Sequence, residues 1–338
     1  MKVLQNLLCS FVLLMICVTA AAQDTPDAQS LIKEAVQFNK DGKYTDAIDK
    51  YTQALKLEPD NVYANYGIAF SLLQSGKGMD GIPYLEKVVK GNTTLVVYAY
   101  DLLGTIYDKG HESAKAIEAF NNGIKADPKY QLIHYNLGLV YFRDKNYAEA
   151  EKCAIQAIKL DPKHANSQRM YALVCFHQNK RANALLGLCS FLLLEPQTSR
   201  SAEAYGNILH ILLGGTLKAE AGVAASVADA NTTALNQAIT GAINEAGKKK
   251  YVAQGDLLAA QLTAIFIAIE PLADKQSPAD FFTKYYADYF YKLAQSPHMP
   301  AFAHLVSQSI PENAAWVKNN QSLMTDLDNW IKMNDRNF

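Results

Sequence analysis

The sequence carries almost no net charge. Its 32 Lys and Arg are balanced by 33 Asp and Glu. A nucleic-acid partner, which calls for a basic face, is therefore not expected, and no polybasic membrane patch stands out. Catalytic signatures are missing too: there is no GxSxG, no P-loop and no GxGxxG. "HESAK" at His111 lacks the second histidine of a zinc-binding HExxH helix, and His298 and His304 are six residues apart, so a helix points them to different sides. No catalytic residue, cofactor or metal set is assigned, and a non-enzyme is expected. Cysteine is scarce, with 5 in all, two of them (Cys9 and Cys17) near the N-terminus. Cys153, Cys175 and Cys189 are an odd number without CxxC spacing. One disulfide with a thiol left over is open to them in an oxidising compartment; small buried hydrophobes is the favoured reading. No strand pattern stands out. The later apolar run that comes nearest to a membrane span, "DLLAAQLTAIFIAIEPLA", contains Gln261, Thr263 and Glu270 and is expected to end at Pro271, which favours a buried core helix.

The N-terminus reads as a targeting segment. Lys2 supplies a positive start, Leu7 to Val18 is uncharged and mostly apolar, and Ala20, Ala21 and Ala22 supply small residues for cleavage. Residues 1–22 are expected to be a secretory signal peptide cut between Ala22 and Gln23. The mature chain is then exported, to a periplasm or, alternatively, secreted, without a membrane span.

What the sequence has in abundance is a period. "DAIDKYTQALKLEPDN" at 46–61 returns as "KAIEAFNNGIKADPKY" at Lys115 and as "EAEKCAIQAIKLDPKH" at Glu149. Pro128, Pro162 and Pro196 are spaced by 34 residues, and Pro59 lies 69 before Pro128. Twelve residues before these prolines stand Ala47, Ala116, Ala150 and Ala184; eight before stand Tyr51, Phe120, Ala154 and Leu188. Further upstream, 24 before, come Ala35, Gly104, Gly138 and Ala172, with Phe38, Tyr107, Tyr141 and Cys175 three residues on. Small residues in that phase let two helices approach, aromatics fill the space beside them, and proline ends the second helix.

This grammar resembles the tetratricopeptide repeat, whose 34-residue unit is a pair of antiparallel helices, A and B. The resemblance implies an all-α fold: about five to six repeats over 23–214, near 28–61, 62–96, 97–130, 131–164 and 165–198. "SAEAYGNILHILLGG" follows as a sixth helix A with no recognisable helix B. The second repeat is divergent, with Gly81 for alanine and Pro83 early in helix B. Residues 215–250 form an Ala/Thr-rich segment, either a loose helical pair or an insert. Residues 251–338 form a helical C-terminal region, with helices near 254–270, 278–294, 299–309, 311–319 and 321–332, that covers the end of the array. Within it Phe282, Tyr285, Tyr286, Tyr289 and Phe290 make one apolar stripe expected to face a core.

In such arrays helix A lines the concave face. The resemblance implies a protein or peptide segment bound there, on Tyr63, Tyr66, Phe70, Tyr98, Asp101, Asp108, Tyr135, Asn136, Phe142, Arg143, Arg169 and His177. Aromatics give contact area and Asn and Arg meet the peptide's polar groups. The carboxylate clamp of one subtype is not expected, because Ile32, Val36 and Gly67 hold the matching positions. A scaffold is thus the leading expectation. An enzyme or carbohydrate-binding module in the C-terminal region is the alternative, and self-association a third reading.

Overall fold

Local signals decide where each helix stops in this computed structural model, which describes residues 27–91, 93–214, 229–251, 253–276 and 280–336. The expected signal peptide, and with it the cleavage site, lies outside the described residues, as do 215–228 and Pro278. Among the described residues there is no strand, and the fold is all-α with the helix pairs of a tetratricopeptide repeat. The chain divides into two compact units, Met1–Gly110 and His111–Phe338.

The first unit holds α1 (Ala28–Lys40), α2 (Tyr44–Leu57), α3 (Val62–Gln74), a 3-10 turn at Gly78–Gly81, α4 (Ile82–Lys90) and α5 (Val96–Lys109). Asp27 caps α1 by accepting from Ser30 N at 2.6 Å. The other end closes at Gly42, with φ 73°, where Lys43 N donates back to Phe38 O at 2.8 Å. That is a left-handed cap of the kind glycine favours. α2 ends at Glu58, whose φ −132° and ψ 83° are the extended backbone that the following Pro59 enforces. Ala35, Ala47 and Ala54 are fully buried between these helices. Gly67 is small for a steric reason: a Cβ there would lie 2.3 Å from Tyr51 Cζ.

In the second unit the repeat continues as α6 (Ser113–Ala126), α7 (Gln131–Arg143), α8 (Tyr147–Leu160), α9 (Ala165–His177), α10 (Arg181–Leu194) and α11 (Ser199–Leu212). The left-handed closure recurs in phase at His111, Lys145 and Asn179, with φ 60°, 59° and 56°, and at Gly214, with φ 75°. The pre-proline caps recur at Asp127, Asp161 and Glu195. α11, closed off by the left-handed Gly214, is thereby a sixth helix A. α12 (Ala230–Ala246) packs on both α10 and α11. It is tied down by Asn236, which donates to Asn179 O at 2.9 Å and accepts from Arg181 N at 3.1 Å. Arg181 in turn donates to Ile211 O at 2.6 Å, capping α11.

α13 (Gln254–Gln276) corrects one expectation. Pro271 does not end the helix but lies inside it. Ile269 and Ala273 are buried on either side of Pro271, and that burial holds the turn together at the cost of one backbone bond, about 3 kcal/mol. The stretch Gln254–Lys275 is thus 22 residues long and contains an 18-residue window of mean hydropathy 1.5, so it is long and apolar enough to cross a membrane by length and composition, contrary to the shorter segment expected. In the fold it packs on α12, α14 (Asp288–Ala294) and α15 (Met299–Val306). Phe266, Phe290 and Phe302 meet with ring centroids 4.8–6.0 Å apart. α16 (Pro311–Asn319) and α17 (Gln321–Met333) complete the unit.

The aromatic stripe is buried, from Phe282 to Phe290, but its first turn, Phe282–Ala287, is π-helical. Its tyrosines dock on the fifth repeat. Gln168 donates to Tyr285 Oη at 2.8 Å and accepts from Tyr286 Oη at 2.6 Å, and Tyr286 stacks on Tyr171 at 5.1 Å. α10 takes most of the docking. It touches α9 and α11 as a repeat helix, and α12, α15 and the π turn on its other side. It is therefore buried all round, from Leu185 to Leu192, as an all-apolar helix must be. Cys153, Cys175 and Cys189 are free and buried. Burial pushes the Cys153 thiol up to about 12 and raises the other two as well.

Candidate partner-binding face

Stacking of like units places residues one period apart side by side. Arg169 Nη2 meets Glu203 Oε2 at 2.7 Å and Arg200 Nη1 meets Asn166 Oδ1 at 2.6 Å, each across 34 residues. Both contacts join α9 to α11, the A helices of successive units.

On the first unit the A helices carry Tyr63 and Tyr98, 60% and 40% exposed. Tyr66 is half-buried beside them. Burial, then the neighbouring Asp101 and Tyr98, push its phenol up to about 12. Tyr66, Tyr98 and Asp101 are thus brought together, while Phe70 and Asp108 are half-buried on the same helices, α3 and α5.

On the second unit Tyr135 stands at the centre. Its ring meets His164 edge-on at 5.1 Å. Burial raises its phenol, and Arg169 and Arg200 oppose that shift, so both cations lie close to it. Tyr135, Leu139 and Phe142 of α7 face Asn166, Arg169 and Leu173 of α9 across a depression of about 80 Å³. Leu139 in its wall is 37% exposed, and Leu132, on the same helix, is 40% exposed. Phe142 leans on Tyr147 and His177, with centroids 5.6 and 5.3 Å away, and His177 stacks on Tyr147 at 5.0 Å. His177 is therefore built into the wall. Asn136 is half-buried and Arg143 exposed, both on α7. Arg169 is committed to Glu203 by an ion pair whose side chains are half-exposed, worth at most about 1 kcal/mol and exchangeable for a ligand carboxylate.

Leu139, Asn166 and Leu173 escaped the sequence reading. Their signal was the phase of the repeat: Phe70 advanced by 69 residues is Leu139, and 34 more is Leu173.

The family model for the tetratricopeptide repeat matches residues 132–164, and a second model of the repeat matches 37–76 and 107–145. The chain carries tetratricopeptide repeats over these residues. Among curated relatives, Hsp70-Hsp90 organizing protein 3 of Arabidopsis thaliana is 31% identical over 94 residues, 28% of this chain and 17% of the relative's own length. Among solved structures, MamA is 24% identical over 50% of this chain and 96% of its own, with TM-score 0.44. YrrB, described as a TPR protein with an unusual peptide-binding site, is 18% identical over 53% of this chain and 92% of its own, also with TM-score 0.44. Proteins of this repeat are protein-interaction scaffolds.

Proposed function

We propose that the chain holds a segment of a partner protein against its helix-A face. The observation that carries this is the apolar depression between α7 and α9, left at the surface while the C-terminal helices dock through α10. Tyr135, Leu139 and Leu173 offer anchors, and Asn166 and Arg169 offer partners for a bound backbone or carboxylate. On the first unit Tyr63, Tyr66 and Tyr98 supply a second aromatic surface of the same kind. A chaperone tail is not the proposed ligand, since Ile32, Val36 and Gly67 cannot form its clamp. The signal-like sequence of residues 1–22 supports an exported scaffold, in a periplasm or secreted. Filling of the C-terminal interior by Phe266, Phe290 and Phe302 favours a covering role there over the alternative of a catalytic or sugar-binding module.

A photo-crosslinking residue placed at Leu139 in the full chain is expected to capture a partner in cells of the source organism. One at Gln156, exposed on α8, is expected not to. Tyr135→Ala with Leu173→Ala should abolish the Leu139 adduct while the protein stays folded. Equal capture from Gln156, or an adduct indifferent to the double substitution, removes the reading.

A further inference from the structure

A cavity of about 240 Å³ lies within the second unit, between α8, α9, the start of α10, the N-terminus of α12 and the turn that opens at Asp280. It exceeds the roughly 150 Å³ of an engineered cavity that accepts benzene. Apolar side chains, among them Ile155, Leu235, Ala273 and Phe282, make part of its wall. The polar part is unevenly charged. Glu151, Asp229 and Asp280 line it against a single ammonium, Lys180. Lys180 is already committed to Glu151 at 2.5 Å, and Gln178 donates to the same carboxylate at 2.8 Å. Asp229 and Asp280 each cap a helical turn, accepting from Thr232 N at 2.6 Å and Thr283 N at 2.8 Å. Asp229 also feels Lys180, and it and Asp280 are solvent-exposed; three carboxylates against one ammonium still leave an excess of negative charge among the lining residues.

A second observation is independent of that charge. Thr283, 1% exposed, also lines the cavity, and its hydroxyl is buried with no hydrogen-bond partner. A hydroxyl buried in that state costs about 1–3 kcal/mol. It sits in the π turn, an irregularity that tends to mark functional positions. Among the described residues no three His, Cys, Asp or Glu side chains converge to hold a metal ion, so the cation that fits is organic.

We propose that this cavity binds a small primary amine with an apolar body. The ammonium sits toward Asp229 and Asp280 and donates to the Thr283 hydroxyl. The body lies against Phe282, Leu235 and Ile155. This site is separate from the helix-A face and does not depend on what binds there.

Calorimetry on the full chain tests it with phenethylammonium, against 2-phenylethanol as a neutral probe of the same shape and 3-phenylpropionate as an anion. The ammonium is expected to bind at least tenfold more tightly than the alcohol, and the anion not at all. Asp229→Asn with Asp280→Asn keeps an oxygen for each cap and should erase the preference. Thr283→Val should weaken ammonium binding several-fold while the melting temperature holds or rises. Equal binding of ammonium and alcohol by the unaltered protein, or no binding by either, overturns the proposal. So does a preference that survives the double substitution, or a Thr283→Val protein that binds unchanged. The comparison in the unaltered protein decides even where a variant melts early.

Discussion

Lys145 occupies a position at which Gly42 stands in the first repeat, and both are left-handed, with φ 59° and 73°. A β-carbon in that conformation costs about 1–2 kcal/mol. Lys145→Gly is therefore expected to raise the urea midpoint, by up to about 1 kcal/mol after the flexibility glycine adds to the unfolded chain. Gly42→Ala should lower it by a similar amount, with the slope of the transition unchanged in both. Gly67 answers to a different constraint. A methyl group there would drive into the Tyr51 ring, so Gly67→Ala should cost about 1–3 kcal/mol; an unchanged melting temperature would contradict the contact between α2 and α3. His304 sets a pH dependence. Its ring is buried, stacks on Trp316 with centroids 3.9 Å apart, and places Nδ1 3.0 Å from Asn313 Oδ1. Burial lowers its pKa from the ordinary 6.5, against opposing effects of Asn313 and the nearby Asp256. The unfolded chain then takes up the proton first. Stability is intact above about pH 6.5 and declines as the pH falls from there through the folded value. Urea midpoints at pH 7.5 and 5.5 should show that fall, and His304→Asn should reduce it.

At the scale of the element, what could be read in advance was whatever is encoded within one helix. The small residues, the aromatics beside them and the terminal prolines carried the A/B pairs directly, because each acts on its own turn or its immediate neighbour. The continuation of α13 through Pro271 was not legible, because it depends on what buries Ile269 and Ala273. Nor was the π turn, because its geometry answers to Gln168 and Tyr171 more than a hundred residues away. The chain beyond α17 makes the same point. Arg336 lies over Tyr289 and Tyr285, with Cζ 4.1 and 4.5 Å from their centroids, and donates to Ser190 Oγ at 2.9 Å. Asp335 pairs with Lys163 at 2.8 Å. Nothing in the local sequence announces this strap. Arg336→Ala should cost about 1–2 kcal/mol, the range of a partly desolvated cation–π contact. Faster hydrogen exchange in 282–294, with α1–α4 unaffected, is the pattern that checks it.

Over the whole molecule, the repeat and its phase were legible, and with them the helices that carry the candidate face. Which residues of that face meet was not, because Glu203 and Arg200 belong to a sixth unit whose partner helix has no sequence signature. A chain ended at Gly214 would keep the repeats but lose α12, α15 and the π turn from the side of α10. It is expected to self-associate, and light scattering during gel filtration should show a mass above the monomer. The same dependence has a meaning in time. During synthesis the α10 segment is complete at Leu194, whereas Arg336 follows 142 residues later, roughly 7–28 s at ordinary elongation rates. Within that interval this apolar helix of the repeats is made but its outer side is covered only step by step, as α12, the π turn and α15 follow it in the chain. The nascent protein is therefore expected to be a client for whatever holds unfolded chains in its cell.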